Sequence, residues 1–320
     1  MNSKFIIIVL GEPYSTFSEI LGKYFTKVKK FKKKIILVGN TELLKKQLVK
    51  MNFTFQVNEI ENYKQAKKNI VNMINVDFSY KKIFDNISKK SNSYIEKSFN
   101  KSLEIIKENV GKAILINGPV SKKTFFNKKF SGVTEYLSKK TKSKNEVMLI
   151  YNDKLSVSPL TTHIPIKNVS KKIKKEKIII NIKNLKKFYK IVLKKNIRCA
   201  VLGLNPHCET TDKYSEEDKI ITPSLNYIRK NGIKVEGPFS ADTFFLKKNI
   251  DKYNLVIGMY HDQVLTPIKT LFNFEAINIT VGLPFVRISP DHGPNSEMLG
   301  QKKSDPSSFF YAMNFAEKLK

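Results

Sequence analysis

Three histidines stand in short islands of turn-forming residues. His163 lies in Thr161-Thr162-His163-Ile164-Pro165, His207 in Asn205-Pro206-His207, and His261 in Tyr260-His261-Asp262-Gln263. The chain has only four histidines. A lone histidine is more often a satisfied structural residue than a ligand. Here, however, His207 and His261 each follow an apolar run that reads as a buried strand, and loops at that edge of an α/β sheet carry function disproportionately. Three neutral imidazoles converging there would suit a divalent ion such as zinc, magnesium, manganese or cobalt, with positions left open for substrate. Their separations match no local metal motif. Cys208, beside His207, ranks below the histidines, because adjacent side chains rarely point at one ion.

Other islands offer anion and proton chemistry. Lys269, Asn278 and Arg287 could together hold a phosphate through charge-assisted hydrogen bonds. Arginine occurs only at Arg198, Arg229 and Arg287 among 58 basic residues, so Arg287 after Leu283-Pro284-Phe285-Val286 stands out; the plainer reading is that it ends a strand. Thr134, in Gly132-Val133-Thr134-Glu135, stands where a helix N-terminus could bind an anion, or where it simply caps that helix. It follows Asn117-Gly118-Pro119, a turn ending a strand. Asp242, in Gly237-Pro238-Phe239-Ser240-Ala241-Asp242-Thr243, is a candidate acid/base or a partner that orients a ligand. Ser289-Pro290-Asp291-His292-Gly293 completes the set.

These residues need a scaffold. Short β-branched runs predict strands at residues 5–10, 34–38, 113–117, 147–151, 198–204, 255–260 and 276–281. Lysine-rich amphipathic stretches predict helices at 15–28, 41–51, 94–109, 133–142, 185–196, 216–231 and 307–320, while 75–93 reads as a polar loop or an extension. Strands alternating with helices argue for an α/β architecture with a largely parallel sheet. No G-x-G-x-x-G follows the first strand; Gly11-Glu12-Pro13 sits there, so a dinucleotide would need another arrangement.

Net charge is +30, which invites a nucleic-acid reading. The lysines are spread along the chain, and arginine, whose planar fork suits phosphodiesters and bases, is scarce. The favoured cause is lysine on solvated faces, with some steering of small anionic substrates. No apolar run approaches the ~18–20 residues of a membrane helix, and residues 5–10 are too short for a signal-peptide core. Two cysteines, Cys199 and Cys208, fit a reducing cytoplasm.

Taken in order, the islands resemble the 4-hydroxythreonine-4-phosphate dehydrogenase family of pyridoxal 5′-phosphate (vitamin B6) biosynthesis. The resemblance rests on Gly11-Glu12-Pro13, Gly118-Pro119 with Gly132 to Glu135, Thr162 to Pro165, and Leu204 to His207. It continues through Gly237-Pro238 with Ala241-Asp242-Thr243, Tyr260 to Gln263, and Gly282-Leu283-Pro284 through His292-Gly293. It implies an isocitrate/isopropylmalate dehydrogenase-like fold of two α/β domains with an interdomain cleft: 1–128 with 295–320, and 129–294 carrying the metal ligands and dimer interface. It implies a homodimer with shared sites, His163 and His207 coming from one subunit and His261 from the other. Substrate would meet Thr134, Lys269, Asn278 and Arg287; His292 and Gly293 would lie against the adenosine part of NAD or NADP.

The implied reaction is metal-assisted oxidation of 4-phosphohydroxy-L-threonine with loss of CO₂, giving 3-amino-2-oxopropyl phosphate, with Asp242 taking the hydroxyl proton. Four places depart from the family pattern: Tyr14 to Phe17, Val133 where histidine is usual, Cys208 to Asp212, and Pro294 to Glu297. Two alternatives follow. One is a same-fold dehydrogenase of threonate or erythronate 4-phosphate; the other is a basic nucleic-acid-binding protein on this fold.

Overall fold

The computed structural model describes residues 3–127, 129–209, 214–273, 275–290 and 292–319. The chain divides into two compact units, Met1–Ser143 with Leu283–Lys320, and Lys144–Gly282.

The first unit begins with β1 (Phe5–Val9), a Phe-Ile-Ile-Ile-Val run buried along its whole length. Such a run suits a parallel strand covered on both faces. It is followed by β2 (Lys34–Gly39), β3 (Val57–Glu59), β4 (Val71–Asn75) and β5 (Ala113–Asn117). The last strand of the chain, β12 (Val286–Ser289), returns to this unit. Neighbours run β3-β4-β2-β1-β5-β12, and every pair is parallel. The helices are α1 (Phe17–Lys27), α2 (Thr41–Lys50), α3 (Asn92–Glu108) and α4 (Val133–Lys140). Helix α2 starts where it does because the Asn40 side chain accepts a hydrogen bond from Leu43 N at 2.9 Å, satisfying one orphan donor of the first turn. At the end of β1, Gly11 has φ +73°, and a Cβ there would lie 2.4 Å from Pro119 O; only glycine lets the Gly11-Glu12-Pro13 turn close.

The unit boundaries differ from residues 128 and 294. Tyr136 and Leu137 of α4 are buried in one cluster with Phe99, Leu115 and Phe126, and Phe285 joins it. Each large apolar side chain so buried contributes roughly 1.5–3 kcal/mol, which ties α4 and the start of β12 to the first unit. The C-terminal helix is held likewise, with Phe309 edge-on to Phe17 and Tyr24.

The second unit contains β6 (Val147–Tyr151), β7 (Ser156–Thr161), β8 (Cys199–Leu202), β9 (Val235–Phe239), β10 (Leu255–Tyr260) and β11 (Ile277–Val281). Its helices are α5 (Val169–Lys172), α6 (Lys175–Phe188), α7 (Thr222–Lys230), α8 (Ala241–Phe244), α9 (Lys247–Ile250) and α10 (His261–Phe272); α11 (Ser307–Lys318) closes the chain in the first unit. Neighbours run β11-β6-β7-β10-β8-β9. The four strands β7, β10, β8 and β9 are mutually parallel, while β6 is antiparallel to both neighbours.

Several elements differ from expectation for identifiable reasons. Strand β7 was not expected, because Ser156-Val157-Ser158-Pro159-Leu160-Thr161 mixes serines with a proline that cannot donate to a ladder; it is nonetheless buried throughout. Helix α10 was not expected and carries Pro267 inside it, a residue that ordinarily interrupts a helical pattern. Helix α6 begins at Lys175, ten residues before the expected start at 185, because lysines mask its buried Ile178, Ile182 and Leu185. Among the described residues, no helix is long and apolar enough to cross a membrane.

One buried acid in the first unit is shifted well above its ordinary range. Glu12 is 1% exposed; Oε2 accepts from Ser91 Oγ at 3.1 Å, and Oε1 has no hydrogen-bond partner. Burial pushes its carboxyl up from 4.5 to about 7, against the Ser91 and backbone hydrogen bonds. Between those values the folded chain holds a proton that the unfolded chain has lost, so stability falls as pH rises across that window. Glu12→Gln should flatten this slope and stabilise the protein above pH 7 by up to about 3 kcal/mol. Thermal melts from pH 5 to 8 check this; parallel curves for the two proteins would refute it.

Candidate active site

Because β7, β10, β8 and β9 are parallel neighbours, their C-terminal ends line one edge of the second unit's sheet. That edge is where open α/β sheets place ligands. It carries His163 just beyond β7, His261 as the first residue of α10, His207 in the turn after β8, and Asp242 in α8 after β9. All three histidines therefore follow a strand; only the unexpected β7 had hidden this for His163.

The rings of His163 and His261 lie side by side, with centroids 5.5 Å apart. His261 Nδ1 is 2.7 Å from Asp262 Oδ1. His207 is 74% exposed in its side chain, and its Nδ1 lies 3.6 Å from Asp242 Oδ2, beyond hydrogen-bond range. Asp242 Oδ1 accepts from Ser240 Oγ at 2.5 Å; this bond, with the Thr243 amide and His207 helping, holds the Asp242 carboxyl below its usual range. The structure thus brings together His163 with His261, and His207 with Asp242. Among the described residues of one chain, no group of three histidine, cysteine or acidic side chains is placed to hold a metal ion.

The loop bearing His207 is held from behind by residues not expected to matter. His207 and Cys208 both have left-handed φ, 57° and 60°, which costs a non-glycine residue energy unless the surroundings compensate. Glu217, 2% exposed, accepts from Leu204 N at 2.6 Å and Asn205 N at 2.9 Å. Its other oxygen accepts from Asn205 Nδ2 at 2.8 Å and Ser215 Oγ at 3.1 Å. Burial pushes the Glu217 carboxyl up, but the Asn205 and Leu204 hydrogen bonds bring it below its ordinary value. Gln263 Nε2 donates to Gly203 O at 2.8 Å, and its Oε1 accepts from Met259 N at 2.7 Å. Thr161 Oγ1 donates to Met259 O at 2.7 Å. The sequence signal for Glu217 was weak, a glutamate at the start of a lysine-rich helical stretch; Gln263 was visible only as a neighbour of His261.

Arg287 sits in the first unit on β12, in register with Leu115 of β5. It is 3% exposed. Its Nε donates to Asn117 Oδ1 at 2.8 Å, and a terminal nitrogen donates to Thr134 Oγ1 at 3.2 Å. Burial lowers the guanidinium to about 10, partly opposed by Glu135. Arg287 and Thr134 are thus brought together, and Asn117 is the partner that sequence reasoning missed. Val133, beside Thr134, packs against the first unit's apolar cluster. In the second unit, burial lowers the Lys269 ammonium, and Asn278 Oδ1 on β11 is buried without a hydrogen-bond partner.

The His292-Gly293 loop follows β12 in the first unit. Both His292 ring nitrogens are buried without a hydrogen-bond partner, its ring packs 5.7 Å from that of Phe17, and burial lowers it to about 4. Gly293 is exposed, and a Cβ there would meet its nearest atom at 3.4 Å. Asp291 lies outside the described residues.

With this geometry established, comparison with known proteins is decisive. The family model for the pyridoxal phosphate biosynthetic protein PdxA matches residues 31–316. This chain belongs to the PdxA family. A 4-hydroxythreonine-4-phosphate dehydrogenase from Sulfurihydrogenibium sp. is 34% identical, covering 98% of both chains. One from Aquifex aeolicus is 32% identical, covering 100% of this chain and 99% of its own. The crystal structure of a 4-hydroxythreonine-4-phosphate dehydrogenase from Klebsiella pneumoniae superimposes with a TM-score of 0.85 at 25% identity, covering 98% of each chain. The PdxA resemblance drawn from the islands is therefore a family relationship along almost the whole chain, and its relatives are named as dehydrogenases.

The buried guanidinium gives a direct check. Asn117→Ala removes a neutral acceptor from Arg287 and should lower stability by about 1–3 kcal/mol in urea melts. Asn117→Asp, which keeps an acceptor, should lose less. An alanine variant as stable as the wild type would show that Arg287 does not depend on this contact.

Proposed function

We propose that this protein oxidises 4-phosphohydroxy-L-threonine with NAD or NADP and releases CO₂, yielding 3-amino-2-oxopropyl phosphate. The observation carrying this reading is the single sheet edge that lines up His163, His261, His207 and Asp242 in a chain of the PdxA family. The donor chemistry fits a divalent ion of the zinc, magnesium, manganese or cobalt kind, since the three side chains are imidazoles. The reading includes a homodimer in which His163 and His207 act with the partner copy's equivalent of His261; within one chain it is His163 and His261 that lie together, with His207 beside Asp242. When bound, the ion would supply Lewis-acid polarisation of the hydroxyl, and the nicotinamide would accept the hydride.

The chain's own residues do the rest. Asp242, held ionised by Ser240, accepts the hydroxyl proton as the carbinol C–H bond breaks. The resulting β-keto acid loses CO₂, and the enol that remains takes up a proton at carbon. Arg287, with Thr134 beside it, binds the phosphate and so orients the reacting carbon. Lys269 and Asn278 are assigned to the substrate as well; the orphaned Asn278 Oδ1 supports that role. His292 and Gly293 are assigned to the cofactor's adenosine, with exposed Gly293 as the accessible part. The reading places the protein in the cytoplasm, which its free cysteines suit.

Val133 favours keeping a second substrate in view. The family's usual histidine there is replaced by an apolar side chain that faces the core, so one phosphate contact is missing. Threonate or erythronate 4-phosphate would use the same remaining residues. A nucleic-acid role is disfavoured because Arg229 spends its fork on Val235 O and Gly237 O and Arg287 is buried.

The test is NADH formation, followed by absorbance, from 4-phosphohydroxy-L-threonine, NAD and a divalent metal, with and without chelator. Turnover that chelator abolishes is expected. His207→Ala should lose at least about a hundredfold in kcat/KM, roughly 2.7 kcal/mol or more, and near-normal activity in metal-free buffer would end the three-histidine reading. Arg287→Ala should raise KM far more than it lowers kcat; an unchanged KM would remove Arg287 from the phosphate site.

A further inference from the structure

We infer that Glu217 is a positioning residue for the metal site, setting the pose of His207, and that Gln263 couples that pose to the His261 end of α10. The inference rests on the reading of His207 as a metal ligand. Glu217 touches none of the reacting groups. It acts on the loop that carries one of them.

Three observations converge. First, the loop backbone from Leu204 to Asn205 gives both its amides to one Glu217 oxygen, and the Asn205 side chain and Ser215 occupy the other. A buried carboxylate receiving four donors is a rigid anchor, because moving it would orphan several buried polar groups at once. Second, the residues just beyond that anchor, His207 and Cys208, are both in left-handed conformations, which persist only where the surroundings over-determine them. Third, the space is filled. A Cβ on Gly203 would lie 2.6 Å from Cys208 Sγ and 2.9 Å from Glu217 Oε1, so the loop folds back tightly over the carboxylate.

Gln263 extends the anchor sideways. It accepts from Met259 N at the end of β10 and donates to Gly203 O at the end of β8. Thr161, at the end of β7, joins the same strand end through Met259 O. The three strand ends that bear His163, His261 and His207 are therefore tied by side-chain hydrogen bonds that need no metal. A preorganised ligand set binds its ion more tightly than one that must be ordered on binding, and loss of a supporting partner outside the ligand set typically costs 10–100-fold in affinity.

The experiment uses the full chain, stripped with chelator and titrated with zinc alone by calorimetry. Hydrogen exchange of the segment 203–209 in the metal-free protein is the second readout. Glu217→Ala should weaken zinc binding by about 10–100-fold and speed exchange of the segment, and Glu217→Gln, which keeps one acceptor oxygen, should fall between it and the wild type. A merely structural role would lower the melting temperature and leave zinc affinity of the folded protein unchanged; that result, with His207→Ala losing zinc, overturns the inference alone. If His207→Ala binds zinc like the wild type, the ligand reading falls first and this inference with it. Should Glu217→Ala fail to fold, Ser215→Ala decides. A several-fold loss of affinity supports the inference, and wild-type affinity overturns it.

Discussion

The parallel direction of β7, β10, β8 and β9 is the constraint on which the candidate site depends. Strands that run parallel in one sheet must all end at the same edge, and each must leave that edge by a loop or a helix. Four neighbouring strands therefore start four connections at one place. The chain puts its scarce chemical residues in those connections: His163, His261, His207 and Asp242. An antiparallel arrangement of the same strands would have sent alternate connections to opposite ends.

Direction alone does not set positions to the fraction of an ångström that coordination needs. That finer control comes from buried polar groups. Glu217 in the second unit, and Arg287 with Asn117 in the first, are hydrogen-bonded groups held away from water, with half-buried Gln263 and Thr134 beside them. Burial makes such bonds costly to break, since the partner left behind has no water to turn to. The same burial shifts titration. It lowers Arg287 and Lys269 and raises Glu12, because a charge in an apolar surrounding is disfavoured whatever its sign.

The basic character of the chain has a quieter explanation than its size suggests. Lysines occupy exposed faces of amphipathic helices such as α6, whose buried side is Ile178, Ile182 and Leu185. Two of the three arginines serve internal hydrogen bonds instead. Charge on this scale shapes long-range attraction for anions without defining a recognition surface.

The α/β class, several of the strands and the identity of the chemical islands were legible in the sequence, because apolar runs and rare residue types are local properties. The family could be read from the same islands because their order along the chain is also written there. What the sequence could not decide was which strands are neighbours. Pairing joins residues such as Leu255 and Ser156 that are far apart in the chain, and nothing local encodes it. For the same reason β7 was missed despite full burial: its serines and proline describe a loop until the neighbouring β10 supplies the other half of the ladder. The roles of Glu217 and Asn117 were not legible, since the importance of each lies in what it touches. Tertiary structure turned the first into an anchor and the second into an arginine's partner by removing both from water.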